Sequence, residues 1–373
     1  MRKNNYLLAI QFGTLSVSAV LFEHEGEKCR ILEVIRRPIK HHLKTTADEL
    51  VRASLTECYA ILSLMKKKNR TICPESIRVG VAAPYVLSRT EHVEKAFGDA
   101  RAFVNADVDE LLSLGKQQFF DALPAHGPLT VIEAIPMAFT VNGYGTLHAI
   151  GQVGKLLASD IRYSAVPEAF AQAVRGRAEG FGCPVDISFH TGSVLYRTLL
   201  LPQLGTESAA LILDVGGEVS EASIIIDSVI RNVATLPIGI GDLLARIEAE
   251  FGIDAPSAVS LFHQYLIDQL LSNDRDRIDE ILHNVVGEWK LPLDAFIREH
   301  HELLERDSAV FIIGGGALAA DMKALIQTLG VFQEHQSAKL YTVDPYAYRE
   351  RFVGDADFRG PEDMGLLSLC LTA

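Results

Sequence analysis

Two short phrases in this chain carry the residue types that grip phosphate. Leu211–Glu221 reads Leu-Ile-Leu-Asp-Val-Gly-Gly-Glu-Val-Ser-Glu: an apolar run, an Asp, then paired glycines. Leu7–Leu21 has the same outline, but Gln11 stands where the second phrase has Asp214. An apolar strand that ends in Asp-x-Gly and turns straight into a second strand is a hairpin suited to phosphate. Its carboxylate holds a hydrated Mg²⁺, and its glycines let backbone N–H groups approach phosphate oxygens. Two such hairpins about two hundred residues apart imply two halves closing over one nucleotide. A third phrase, Ala309–Ala320, is an apolar strand running into Gly314-Gly315-Gly316, which open a helix. One strand followed by glycine is an ordinary α/β turn. The ordered set of Gly13-Thr14, Gly216-Gly217 and Gly314–Gly316 is more specific. The triple glycine would let adenosine lie against bare backbone near a helix N-terminus.

The elements that would position these residues follow from pattern. Residues 6–23 read as a strand pair around Gly13-Thr14, and Thr45 or Thr46 caps a helix through Leu50, Leu55, Ile61 and Leu64. That helix ends in Lys66-Lys67-Lys68-Asn69-Arg70, a solvated end favoured by the macrodipole. Ile77–Ala83 is a buried strand stopped by Pro84. The texture then changes: a helix over 107–121, strand-like stretches at 129–141 and 153–163 separated by the turn Asn142–Gly145, and a helix over 167–179. Residues 85–189 read as a small α+β module inserted into the first half. A helix at 191–201 leads to the second hairpin at 209–230, and 243–305 is mostly helical.

The first half would hold residues 1–84, 190–206 and a closing helix at 361–373. The second would hold 207–240 and 306–360, with a helical subdomain at 241–305.

Bulk properties narrow the function. A chain of 373 residues exceeds one small core. A formal charge of −13 opposes broad nucleic-acid binding, which needs a basic surface. Five cysteines (Cys29, Cys58, Cys73, Cys183, Cys370) without C-x-x-C pairing read as reduced thiols of a cytosolic protein. No run is long and apolar enough for a spanning helix, and Tyr6 enters a strand too early to leave room for a signal peptide. The doublets His41-His42 and His300-His301 lack a third ligand at metal spacing and read as surface residues.

The ordered set resembles the actin/Hsp70/sugar-kinase ATPase superfamily, and within it the FtsA and PilM branch. Residues 8–20 resemble the first phosphate motif of that branch, 211–221 its second and 311–318 its adenosine motif. Thr235–Gly239 is similar to its Ile-Pro-x-Gly-Gly stretch, and Val141–Tyr144 resembles a segment of the inserted SHS2 module of FtsA. The resemblance implies two actin-like, ribonuclease H-like halves around a cleft, with an SHS2-like insertion. It implies ATP and Mg²⁺ as cofactors, with Gly13, Thr14, Asp214, Gly216, Gly217, Gly314, Gly315 and Gly316 toward the nucleotide and Asp214 toward the metal.

The departures lie where the chemistry would be. Gln11 replaces the first acid, Glu218 puts a carboxylate where the family has glycine, and Val219 replaces a hydroxyl residue. Ser257–Phe262 lacks the family's adenosine-contacting Glu and Lys. Asp214 either reaches Mg²⁺ through water or is a turn residue at a strand end. Glu218 and Glu221 are substitute metal carboxylates or solvated loop acids.

The implied function is a divergent FtsA-like cytoplasmic scaffold of cell division, recruited to the inner face of the membrane by partners and without efficient hydrolysis. Its partners would be a polymer-forming division protein, cytoplasmic tails of membrane proteins, or further copies of itself. FtsA's terminal amphipathic membrane helix has no counterpart in this sequence. That shifts weight to the alternative of a PilM-like pilus adaptor with a peptide groove. A pseudo-ATPase without nucleotide and an active sugar kinase are the other readings; the kinase would need the acid that Gln11 replaces.

Overall fold

The computed structural model describes residues 6–39, 46–70, 72–123, 127–181, 186–200, 202, 209–300, 308–318, 324, 326–328, 339–354 and 357–372. His41, His42, Thr45, Cys183, His301 and the helix expected after Leu318 lie outside these residues.

Apolar runs without polar alternation form the centre of the first half. Strand β1 (Tyr6–Phe12) pairs antiparallel with β2 (Ser16–Glu25), which pairs with β3 (Lys28–Pro38). Leu8, Ile10 and Phe12 enter one core and Ala9 another, so β1 is buried on both faces. Helix α1 (Ala47–Lys68) begins at a capping box: the Thr46 hydroxyl accepts from Glu49 N, and Thr46 N donates to the Glu49 carboxylate. Leu50, Cys58, Ile61 and Met65 pack its inner face on the sheet. Strand β4 (Ser76–Val81) then runs parallel to β1.

The chain next leaves this sheet. Strand β5 (Leu87–Ala102), helix α2 (Asn105–Asp121), β6 (Leu129–Val141), β7 (Tyr144–Thr146) and β8 (Val153–Pro167) make a separate four-stranded sheet in the order β5-β8-β6-β7. Its own core holds Phe103, Leu111, Phe119, Leu157 and Tyr163. Helix α3 (Glu168–Ala178) and strand β9 (Asp186–Thr191) follow. Helix α3 and most of β9 lie within the 85–189 block expected to be the inserted module, yet Phe170, Val174 and Phe189 pack in the core under α1, and β9 pairs with β4. Sheet membership thus confines the separate layer to residues 87–167. The apolar helix-and-strand pattern of 168–191 does not say which sheet it serves.

Helix α4 (Gly192–Leu200) leads to β10 (Ala209–Val215), β11 (Ser220–Ile226) and β12 (Val229–Leu236), then to helices α5 (Ile240–Phe251), α6 (Ala255–Leu266) and α7 (Ser272–Glu299). Strands β13 (Ser308–Ile313), β14 (Lys339–Thr342) and β15 (Phe352–Val353) and helix α8 (Met364–Leu371) complete the described elements. The second sheet has the order β12-β11-β10-β13-β14, and the first has β15-β3-β2-β1-β4-β9. In each sheet the glycine-ended strand has its hairpin partner on one side, antiparallel, and a parallel strand on the other. Gln11 faces Ser18 and Gly80 in register, and Asp214 faces Glu221 and Ile313. The repeated phrase of the sequence is therefore a repeated fold, and the expected two-halved α/β architecture is present.

Helices α4 and α8 lie between the halves. Their Leu195, Leu199, Leu366 and Leu369 share one core with Ala9 and Phe22 of the first sheet and Ile212 and Phe311 of the second. Arg78 donates to the carbonyls of Leu369 and Thr372 at the end of α8, as expected of a cation at a helix C-terminus. At its start, buried Asp363 accepts from Arg36 Nε at 3.0 Å and from Arg359 N at 2.8 Å. Removing one member of a buried pair of this kind typically costs about 3–5 kcal/mol. The closing helix is thus tied to the first sheet at both ends.

Among the described residues no helix is long and apolar enough to cross a membrane. Cys29, Cys58 and Cys370 are free and buried. Cys73 departs from the expected reduced thiols: it is disulfide-bonded, through a pairing that sequence spacing does not reveal.

Candidate functional site

A cavity of about 150 Å³ lies where the two glycine hairpins converge, lined by Gly13, Thr14, Asp214, Gly216, Gly217 and, from the third phrase, Gly314 and Gly315. Seven of the eight expected residues thus meet at one place. Gly316 does not line it; a Cβ there would stand 2.2 Å from Val215 Cγ1. The cavity is small: pockets that enclose drug-sized ligands typically run about 300–1,000 Å³.

The hairpins touch one another. Glu218 N donates to Thr14 Oγ1 at 2.9 Å, so this loop amide is already bonded across the cleft. A Cβ on Gly217 would stand 2.2 Å from Thr14 Oγ1 and 2.6 Å from Leu15 Cγ. Glycine is needed there because the opposing hairpin is so close. Behind the loop, the N-terminus of α5 donates inward: Ile240 N to Gly216 O at 2.9 Å and Gly241 N to Gly217 O at 2.6 Å. Free N–H groups at a helix start would bind an anion, but these two serve the loop. On the first hairpin, buried Tyr85 donates to Gly13 O at 2.9 Å. Gly314 takes φ +85°, a conformation suited to glycine, and packs against Asp214 and Val215. Gly315 alone of the triple faces open space.

The charges do not make a metal site. Gln11 Oε1 is buried without a hydrogen-bond partner, beside Gly80 and Gly365, whose missing Cβ atoms make room for the amide. Asp214 accepts from the Tyr196 hydroxyl at 3.0 Å. Burial raises its pKa to about 6, against the lowering effect of that hydrogen bond. One carboxylate held by tyrosine, opposite a neutral amide, brings less charge than a hard dication usually requires, and Glu221, Glu362 and Asp363 on the cavity wall form no metal-binding cluster with it. No cluster of metal-binding side chains occurs among the described residues. The residues present therefore do not fit Mg²⁺. A nucleotide would fit only with the hairpins parted.

Glu221, expected as a substitute metal ligand or a solvated acid, lines the cavity and pairs in register with Asp214. Burial raises its pKa to about 7, against the lowering effect of Arg162, and Asp214 and Glu133 add to the rise. Arg162 is buried on β8 and Glu133 lies on β6, so the inserted sheet supplies charge to the second half's hairpin. Glu133 also accepts from Thr191 N at 2.8 Å and Thr191 Oγ1 at 2.6 Å, which ties β6 to β9. Sequence reading missed Tyr85, Glu133, Arg162 and Tyr196. Only Arg162 left a signal, a lone cation in the largely apolar run Leu156–Val166. Phe262, at the place of the lost adenosine contacts, is buried and stacked on Tyr265.

A second concavity, of about 470 Å³, lies between the inserted sheet and the first half. It is lined by Val131–Ile135 of β6, by Ile187–His190 of β9 and by Arg175 and Val194. Strand β9 ends its sheet, and β7 covers only residues 139–141 of β6. Two strand edges open among the described residues therefore border this groove.

Because folded Glu221 holds its proton longer than the unfolded chain, stability should fall as pH rises from about 4.5 to about 7. Glu221→Gln should flatten that slope and raise stability at pH 8 by about 1–2 kcal/mol, discounted for its partial exposure. Urea unfolding at several pH values measures both effects; an unchanged slope would contradict the burial of the charge.

No protein-family model and no curated protein matches the chain. Among solved structures, a PilM–PilN type IV pilus biogenesis complex is similar over 98% of this chain and 97% of that chain, at 17% identity and TM-score 0.69. The ethanolamine utilization protein EutJ from Carboxydothermus hydrogenoformans is similar at 12% identity over 99% and 90%, and MreB5 of Spiroplasma citri bound to ADP at 11% over 98% and 94%. Both of these have TM-score 0.47, too low to carry an argument. At such identities the likeness concerns fold, and the chain has the actin-like ATPase fold.

Proposed function

We propose that this chain is a non-catalytic adaptor of a membrane-associated machine, of the PilM kind, whose actin-like halves form a frame and whose β6–β9 groove takes an extended peptide. The observation that carries the non-catalytic part is the Thr14–Glu218 contact, which joins the two glycine hairpins directly to each other. The open edges of β6 and β9 support peptide docking, because exposed backbone groups are what β-strand addition uses. PilM is paired with PilN in the similar structure. The corresponding partner of this chain would be the cytoplasmic tail of a membrane protein, which would recruit it to the inner face of the membrane.

The sequence placed an FtsA-like division scaffold first, partly on Val141–Tyr144. In the structure Asn142 and Gly143, with φ 51° and 83°, form the tight turn between β6 and β7. Such a turn suits many hairpins, so the pilus-type alternative moves ahead of the division scaffold. An active phosphotransferase is disfavoured because Gln11 stands where such an enzyme needs an acid, and Tyr196 donates to one oxygen of the remaining Asp214. ATP, if it binds the opened cleft, would fix the angle between the halves.

Two measurements test this function. A ligand at a hundredfold its Kd adds ~2.7 kcal/mol to stability; millimolar ATP, with or without Mg²⁺, should give no such stabilisation and no steady phosphate release. Turnover at enzymatic rates would overturn the adaptor function. A panel of synthetic extended peptides with alternating apolar side chains should include binders, and Ile135→Asp, which puts charge into the groove, should abolish that binding. Retained affinity in the variant would remove the groove from the proposal.

A further inference from the structure

The inserted sheet ends in an apolar tip that neither the cleft nor the groove uses. Tyr144, Leu147, Ile150 and Val153 are 80%, 62%, 55% and 63% exposed, within ten residues of chain. Large apolar side chains gathered at this density mark an interaction surface. Their backbone is held firmly. Asn142 Oδ1 accepts from Lys155 N at 2.8 Å and Leu156 N at 3.1 Å. Gly151 N donates to Phe103 O at 2.9 Å, and Phe103 N to Gln152 O at 2.9 Å. Ala149 is buried in the core of the inserted sheet directly between the exposed Leu147 and Ile150. The tip is a built presentation of four apolar side chains.

Charge identifies what it meets. From Ala134 to Ser159 there is no Asp or Glu, only Lys155 and His148, in a chain of net charge −13. At the same end of the sheet Asp107 is paired with Arg101 and Glu110 with Lys95, and Asp99 in the bulge of β5 is the exposed acid that Lys155 and Lys95 offset. This is the stretch of an acidic protein suited to approach a negative surface. None of the cavities described above includes the four residues, so they project and do not form a pocket for a partner's side chain. An aromatic residue with a polar end, apolar neighbours and a flanking lysine is the composition that settles at a bilayer interface.

We propose that the Tyr144–Val153 tip inserts into an anionic lipid surface. This contact goes beyond the adaptor function: it would orient the chain on the bilayer, and it is separate from peptide capture in the groove. One tip of this size gives weak, reversible binding that a second, protein-mediated contact would reinforce.

The test is co-sedimentation of the full chain with vesicles of phosphatidylglycerol and phosphatidylcholine. Binding should exceed that to phosphatidylcholine alone, and Leu147→Asp with Ile150→Asp should abolish it at an unchanged thermal midpoint. Ile150→Trp should show a blue shift of its emission on adding the anionic vesicles; Trp289, the chain's one tryptophan, is buried and gives a constant background. Ile135→Asp should leave vesicle binding intact, which separates this contact from failure of the groove. Absence of vesicle binding, or equal binding by the doubly charged variant, would overturn the proposal. So would loss of self-association, without any vesicle binding, in that variant; the tip would then join copies of this chain.

Discussion

The hydrogen bond from Glu218 N to Thr14 Oγ1 is the contact on which the rest of the site depends. It bridges residues from the two halves that lie far apart in sequence, and it forms only because Gly217 lets the hairpins approach to side-chain distance. Once they meet, the other glycines have structural duties. Gly216 and Gly217 offer carbonyls to α5, and Gly239 has its neighbour Gly217 so close that a Cβ would stand 2.3 Å from Gly217 O. Motifs that suit phosphate thus serve as close-packing motifs. A hairpin needs the same freedom from side chains to approach another hairpin as to approach a phosphate.

Around that contact the structure is a frame of three layers. Helices α4 and α8 fill the space between the two principal sheets, so the halves share a core. The inserted sheet is fastened to both: to β9 through Glu133 and Thr191, and to the second half through the charge of Arg162 near Glu221 and the bond from Arg231 to Met137 O. Replacing a buried ion pair by well-packed apolar residues is often neutral or stabilising, so such charges are weak evidence for stability. Fastening of this kind would suit the proposed adaptor, whose groove would have to keep its shape.

The fold was largely legible in the sequence because it repeats. The two hairpin phrases marked the antiparallel pair at the centre of each sheet, but not the strand order around it, and the apolar runs at Leu8–Phe12 and Leu211–Val215 marked its strands. The site was legible as a location but not as a state. Gln11 and Glu218 announced a damaged phosphate site, but the side chains that complete it come from afar: Tyr196 from α4 to Asp214, Tyr85 to Gly13, Arg162 from the inserted sheet toward Glu221. Such partners obey no spacing rule, since helix packing and sheet order bring them together. The sheet that 168–191 serves was not legible for a related reason. The pattern of 168–191 gives a helix and a strand, and only the pairing of β9 with β4 assigns them to the first half.

The central claim is that the two hairpins are joined to each other and leave no seat for a nucleotide phosphate. Hydrogen exchange at the Glu218 amide measures this at the atom concerned. The account predicts a slowly exchanging amide in the free protein, faster exchange in Thr14→Val, and no change on adding ATP and Mg²⁺. An amide that exchanges freely in the free protein and becomes protected when ATP and Mg²⁺ are added would contradict it.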